Sequence, residues 1–134
     1  MVIERDLQPS VWVVDRLDWW RTTVVAALRD AGFPVRAYDS YDAVLATLHS
    51  TSTGPDLVLL GCAGSHLEEA VLLRELVLRR WPVIVFASSL TLQDLREFFL
   101  AGASDVAERP QTANHLLSLV AAMPLTRPTC QQVE

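Results

Sequence analysis

Short apolar runs alternate with helically periodic stretches along the chain, and the strand-then-helix unit repeats five times. Strands are predicted at Val11–Asp15 (VWVVD), Pro34–Tyr38 (PVRAY), Asp56–Leu60 (DLVLL), Pro82–Ala87 (PVIVFA) and Ser104–Ala107 (SDVA). The first, third and fourth are almost continuous Val, Ile and Leu, the pattern of strands buried on both faces of a parallel sheet. The other two are weaker and belong nearer an edge. Between the strands, Trp20, Val24, Ala27 and Leu28 recur at helical spacing behind Asp18, which is placed to cap the first helix, and Gly32 ends it. A second helix is predicted at Tyr41–His49 after Ser40, followed by the loop STSTGP. A third starts at Ser65, with Glu68 at capping-box spacing, and runs to Arg80. Thr91 opens a fourth over Leu92–Ala101, closed by Gly102, and Thr112 opens a fifth over Ala113–Met123, closed by Pro124. Right-handed crossovers then give an α/β fold: a three-layer αβα sandwich around a five-stranded parallel sheet in the order 2-1-3-4-5, with any site at the carboxyl ends of the strands. One domain is expected over residues 11–124, between an N-terminal tail (1–10) and a C-terminal tail or linker (125–134).

Composition narrows the chemistry. The 134 residues are 51% hydrophobic and 20% charged, enough apolar material for one packed core. A net charge of −5 argues against a phosphate-backbone binder, so no direct contact with nucleic acid is expected. All 11 cations are Arg and none is Lys, which removes Schiff-base and phosphate-loop lysine mechanisms. The longest apolar stretch, Leu57–Gly64, is far below the ~20 residues of a bilayer span, and Glu4 and Asp6 interrupt any signal-like start. A cytoplasmic protein without membrane contact is the expectation. Cys62 and Cys130 are too few for a disulfide framework and lack metal-ligand spacing, so they read as free thiols.

The strand ends carry the candidate site: Asp15-Arg16, Gly61-Cys62, Ala87-Ser88 and Glu108-Arg109-Pro110. In order and spacing, VVDR (13–16), PDLVLLG (55–61), PVIVFAS (82–88) and GASDVAERP (102–110) resemble the motifs of response-regulator receiver domains, the CheY-like, flavodoxin-like family of two-component signalling. The likeness covers about Val11 to Met123. It implies a bacterial regulatory module. A working receiver phosphorylates an aspartate at the end of strand 3, holds Mg²⁺ with an acidic pair after strand 1, and reads the phosphoryl group with a hydroxyl after strand 4 and a lysine after strand 5. Here the acceptor position is Gly61, the acidic pair is Asp15 and Arg16, the hydroxyl position is Ala87 with Ser88 following, and the lysine position is Arg109 before Pro110. The aromatic switch position on strand 5 is Val106, and the resemblance also implies a cis bond at Arg109–Pro110.

The chain therefore reads as a degenerate pseudo-receiver, with no catalytic residue, no cofactor and no Mg²⁺. The ion wants carboxylate-anchored octahedral ligation. One carboxylate remains, and two arginines stand beside it, where like charges ~4 Å apart interact by about 4 kcal/mol at an effective dielectric near 20. Asp15 is accordingly expected to pair with Arg109 or Arg16 rather than to hold a metal. Cys62 reads as a small core residue before a sensing thiol, Ser88 as a strand-end hydroxyl, and His49, His66 and His115 as dispersed helix residues. From Gln111 to Thr126 no residue is formally charged. That absence points to an interface at the fifth helix, with His115, Leu119 and Met123 partly outside and Trp19 of helix 1 or Phe98 of helix 4 completing the patch. The expected function is phosphorylation-independent protein binding, either as a homodimer or with a partner. Alternatives are a small-molecule sensor in the emptied pocket around Gly61, Cys62 and Ala87, the receiver part of a transcriptional regulator, or residual phosphotransfer on another acceptor.

Overall fold

Because β1 (Val11–Val14), β3 (Leu57–Cys62) and β4 (Val83–Ala87) are apolar at every position, they occupy the centre of the sheet, buried on both faces. The computed structural model describes residues 9–50, 54–62 and 66–123, with the side chains of 66–68 left aside. All strand pairs are parallel, in the order β2-β1-β3-β4-β5. The edges are β2 (Val35–Tyr38) and β5 (Asp105–Glu108), whose half-exposed positions match their weaker sequence patterns. Strand β3 extends through Gly61 and Cys62, two residues past the prediction, because β4 continues opposite it: Gly61 pairs with Phe86 and Cys62 with Ala87.

Five helices cover the two faces. On one side, α1 (Asp18–Asp30) and α5 (Ala113–Ala121) bury Trp20, Val24, Leu28, Leu116 and Val120 against Val13, Leu59, Ile84 and Phe86. On the other side lie α2 (Tyr41–Ser50), α3 (His66–Leu78) and α4 (Leu92–Leu100), whose Val44, Leu72, Leu73, Leu76 and Phe98 close over Val14, Val58, Leu60 and Val85. Each such fully buried aliphatic or aromatic side chain contributes about 1.5–3 kcal/mol.

Local sequence explains most helix ends. Thr91 accepts from the Asp94 amide at 3.0 Å while Asp94 accepts from the Thr91 amide at 3.1 Å, a reciprocal capping box. Ser40 and Thr112 cap α2 and α5 through the amides of Ala43 and His115, each at 3.1 Å. Asp18 does not cap α1: the N-cap is Leu17, which offers no side-chain cap, and Asp18 is the first helical residue, paired with Arg21. The Ser65 cap expected for α3 lies outside the described residues. Ser10, expected in a tail, is tied to the sheet, its carbonyl accepting from the amides of Asp56 and Leu57 at 2.9 and 3.2 Å.

Three helices end in the same hydrogen-bond pattern, which in α1 runs from the amides of Gly32 and Phe33 to the carbonyls of Arg29 and Leu28. In α4 the amides of Gly102 and Ala103 donate to Phe99 and Phe98, with Gly102 at φ 109°; a Cβ there would also lie 2.8 Å from Val77 Cγ1. In α3, Arg80 and Trp81 donate to Val77 and Leu76, ending the helix at Leu78 rather than Arg80, and Arg80 itself carries φ 65°. The left-handed region costs an L side chain roughly 1–2 kcal/mol. Arg80→Gly is expected to stabilise the domain by about 1 kcal/mol net of glycine's larger unfolded-state entropy, seen as a higher urea midpoint at unchanged denaturant slope.

Candidate functional site

At the carboxyl end of the sheet, Asp15 follows β1 and is 1% exposed, a charged group taken almost wholly out of water. Its compensation comes from Arg109, just beyond β5, whose amide donates to the Ala87 carbonyl at 3.0 Å. The guanidinium embraces the carboxylate: Nη1 donates to Asp15 Oδ2 and Nη2 to Oδ1 at 3.3 Å. Nη2 also donates to the Cys62 carbonyl at 3.1 Å. The Leu17 amide donates to Oδ1 at 3.0 Å, so both carboxylate oxygens are engaged. Behind the pair, the guanidinium carbon lies 5.5 Å from the centre of the Trp20 ring, a cation–π contact on an apolar wall. Bidentate pairing of this kind is the stronger form of charge-assisted bond, and truncating one partner of a buried pair costs about 3–5 kcal/mol.

Gly61 lies directly beneath. A Cβ built there would sit 1.9 Å from Asp15 Oδ2 and 2.3 Å from its Cγ, so the carboxylate occupies the space into which any side chain at this position would project. Close approach, not backbone freedom, is what requires glycine here.

A second set of contacts was not anticipated from sequence. Tyr41, at the start of α2, points its hydroxyl at the Gly61 carbonyl (2.9 Å) and at Oε2 of Glu69 on α3 (2.8 Å). Glu69 is 2% exposed, and Arg16 lies over the Tyr41 ring with its guanidinium carbon 4.5 Å from the centroid. In sequence Glu69 is the second of two adjacent glutamates, Glu68 and Glu69, which read as solvated positions. Together Arg109 and Tyr41 bind the last two carbonyls of β3. Burial, reinforced by the Glu69 hydrogen bond, pushes the Tyr41 hydroxyl well above the ordinary phenol range.

The remaining predicted residues are distributed as follows. Ala87 is buried beside Cys62 at the end of β4, and Ser88 is exposed. Val106 is buried at 8% exposure. No peptide bond among the described residues is cis, so Arg109–Pro110 is trans, contrary to the expectation. Gly61, Cys62 and Ala87 are all buried, with Arg109 hydrogen-bonded at Cys62, so the expected emptied pocket is filled by the protein's own side chains. No group of His, Cys, Asp and Glu that could hold a metal ion occurs among the described residues, and the His66 side chain lies outside them. Of the expected interface residues, Phe98 is buried at 3% exposure, and it is the adjacent Phe99 that faces outward. Leu119 and Met123 are half-buried against the α1/α5 core, while Trp19 and His115 are exposed.

No protein-family model matches the chain, and no curated protein does. Solved structures do. A CheY-like response-regulator receiver domain protein from Methanospirillum hungatei JF-1 superposes with a TM-score of 0.74 at 19% identity, over 85% of this chain and 91% of that one. The BeF3-activated DrrB receiver domain gives 0.74 at 19% identity over 86% and 96%. This chain has the receiver fold. NtrX from Brucella abortus matches with a TM-score of 0.74 at 26% identity over 86% of this chain, which spans only 27% of NtrX. No helix among the described residues of this receiver fold is long and apolar enough to cross a membrane.

Three outcomes follow from the site. Burial, with the nearby Glu69 charge adding to it, pushes the Cys62 thiol up to about 12, so it stays protonated and inert at neutral pH. Alkylation followed by peptide mass spectrometry should modify Cys62 only after unfolding; rapid labelling of the native protein would contradict this burial. The same raised value has a sign for stability. Above about pH 9 the unfolded chain binds fewer protons at this thiol than the folded one, so unfolding free energy should fall as pH rises, less steeply in Cys62→Ala. Separately, Gly61→Asp should destabilise the domain by more than about 2 kcal/mol in urea titrations, since the new side chain meets the Asp15 carboxylate; a near-neutral result would mean that Asp15 is free to move.

Proposed function

We propose that this chain is a receiver-type signalling module of two-component regulation that has given up phosphorylation and acts by binding a protein. The observation that carries the reading is the Asp15–Arg109 pair seated over Gly61. In a working receiver that space holds the phosphoacceptor side chain, the metal and the transferred phosphoryl group. In this chain it holds a carboxylate and its permanent counter-ion.

The residues do not fit Mg²⁺. Hard divalent ions bind through several oxygens, commonly one or two carboxylates with waters and phosphate. Both oxygens of Asp15 already accept hydrogen bonds, a guanidinium stands against them, and the neighbouring position of the acidic pair is Arg16, a second cation. Glu69, the other buried acid, is turned to Tyr41. With Gly61 as acceptor there is no oxygen to attack a phosphodonor.

What replaces phosphorylation-dependent switching is a fixed state. Arg109 joins the loop after β5 to the ends of β1 and β3, so the segments that a phosphoryl group would rearrange are already tied together. Such a module presents one surface continuously, and its regulation lies in its abundance or its partner. The reading assigns it no enzymatic activity.

Incubation with acetyl phosphate or phosphoramidate and Mg²⁺, followed by intact mass spectrometry, tests this directly. The protein is expected to remain unmodified while an ordinary receiver treated in parallel gains a phosphoryl adduct. An acid-labile adduct on this chain, at any aspartate, would overturn the reading.

A further inference from the structure

We propose that the outward side of α3 and α4 is a docking surface for an acidic amphipathic helix of a partner protein. The proposal rests on the protein-binding reading above and gives that binding a place and a chemistry. Six large hydrophobic side chains are exposed among the described residues, and five of them belong to these two helices: Val71, Leu78, Leu92, Phe99 and Leu100. Leu78, Leu92 and Leu100 are 77%, 85% and 75% exposed. The uncharged helix α5, by contrast, exposes Ala113, Asn114, His115, Ser118, Ala121 and Ala122, and keeps its larger side chains at least half-buried.

The placement is regular. Both helices bury their inner sides in the same core, through Leu72, Leu73 and Leu76 of α3 and Phe98 of α4. Val71 and Leu78 stand two turns apart on the outer side of α3, and Leu92 and Phe99 two turns apart on α4. The carboxyl ends of the helices meet where Val77 closes on Gly102, which brings the last turns bearing Leu78 and Leu100 to the same end of the face. Rows of side chains at this spacing are the ridges against which another helix packs. At 1.5 Å per residue the 13-residue α3 and 9-residue α4 are about 20 and 14 Å long, a length suited to a partner helix of a few turns.

Charge selects the occupant. Arg74 and Arg96 are exposed on these helices and Arg80 just beyond α3, with Arg74 one turn before Leu78 and Arg96 one turn before Leu100; Glu97 is the one fully exposed acid among the described side chains of the two helices. This is a basic-apolar face on a chain of net charge −5. A helix with an apolar stripe and carboxylates on its flanks satisfies both features. A second copy fits poorly, because a two-fold contact sets the same arginines against one another. An anionic bilayer fits less well than a helix, because Glu97 and the half-buried Glu75 would face the lipid headgroups, whereas a partner helix can leave them to water or offer them a base.

The test uses the full chain and defined probes: a helical peptide with a leucine stripe and glutamate flanks, the same peptide with lysine flanks, and vesicles containing phosphatidylglycerol. Titration calorimetry should show the acidic peptide binding wild type, weakening with salt, and binding at least about tenfold less tightly to Leu78→Ser/Leu100→Ser and to Arg74→Glu/Arg96→Glu. The lysine peptide should prefer the charge-reversed variant, and Trp19→Ser on α1 should bind like wild type. Because the substituted side chains are exposed, these variants should fold. The proposal is overturned if the acidic peptide does not bind, if it binds the α3 and α4 variants as well as wild type, or if Trp19→Ser abolishes binding. It is also overturned if those variants instead lose vesicle binding or self-association. Its failure would leave the unphosphorylated state intact, since that state is read separately by mass spectrometry.

Discussion

One buried ion pair organises the carboxyl end of the sheet. A carboxylate at 1% exposure costs several kcal/mol to desolvate, and only a well-placed counter-charge with matching hydrogen bonds repays it. Arg109 does this with geometry a lysine lacks. Its planar fork bonds both oxygens of Asp15 and keeps a donor for the Cys62 carbonyl, while the ring of Trp20 supports it. Because the partners come from the ends of β1 and β5, the pair also fastens an edge strand to the centre of the sheet. The glycine at 61 follows from where this guanidinium holds the Asp15 carboxylate.

The cohesion of the scaffold lies away from this pair. The apolar positions of β1, β3 and β4 alternate between two helix layers, and none of them needs the chemistry at the strand ends. A fold specified by two interior faces tolerates wide sequence change, and this chain superposes on one receiver at 19% identity and on NtrX at 26%.

Much of this was legible in the chain, and the misreadings have physical causes. Continuous apolar runs identified the central strands, and the hydroxyl residues Ser40, Thr91 and Thr112 marked three helix starts through bonds that the structure contains. Asp18 misled because a capping residue and a first-turn acid look alike in sequence; here Arg21 claims its carboxylate. The strand-end positions of Asp15, Gly61 and Arg109 were readable from motif order and charge balance. Tyr41 and Glu69 were not, since their meeting depends on two helices packing against the end of β3. Phe98 and Phe99 are adjacent, and only the helix's rotation decides which is buried. Helix α5 drew attention by lacking charge, yet its outer side is made of small and weakly polar residues. The exposed leucines of α3 and α4 escaped notice because arginines and glutamates are interspersed among them.

The closeness of Gly61 to Asp15 also couples these positions to one another under substitution. An acidic side chain at 61 places its first carbon inside the neighbouring carboxylate, while loss of Arg109 strands that carboxylate without a counter-charge. Each single change gives a poorer protein, and only a paired change avoids the penalty. Positions 15, 61 and 109 therefore respond to substitution as one unit rather than singly.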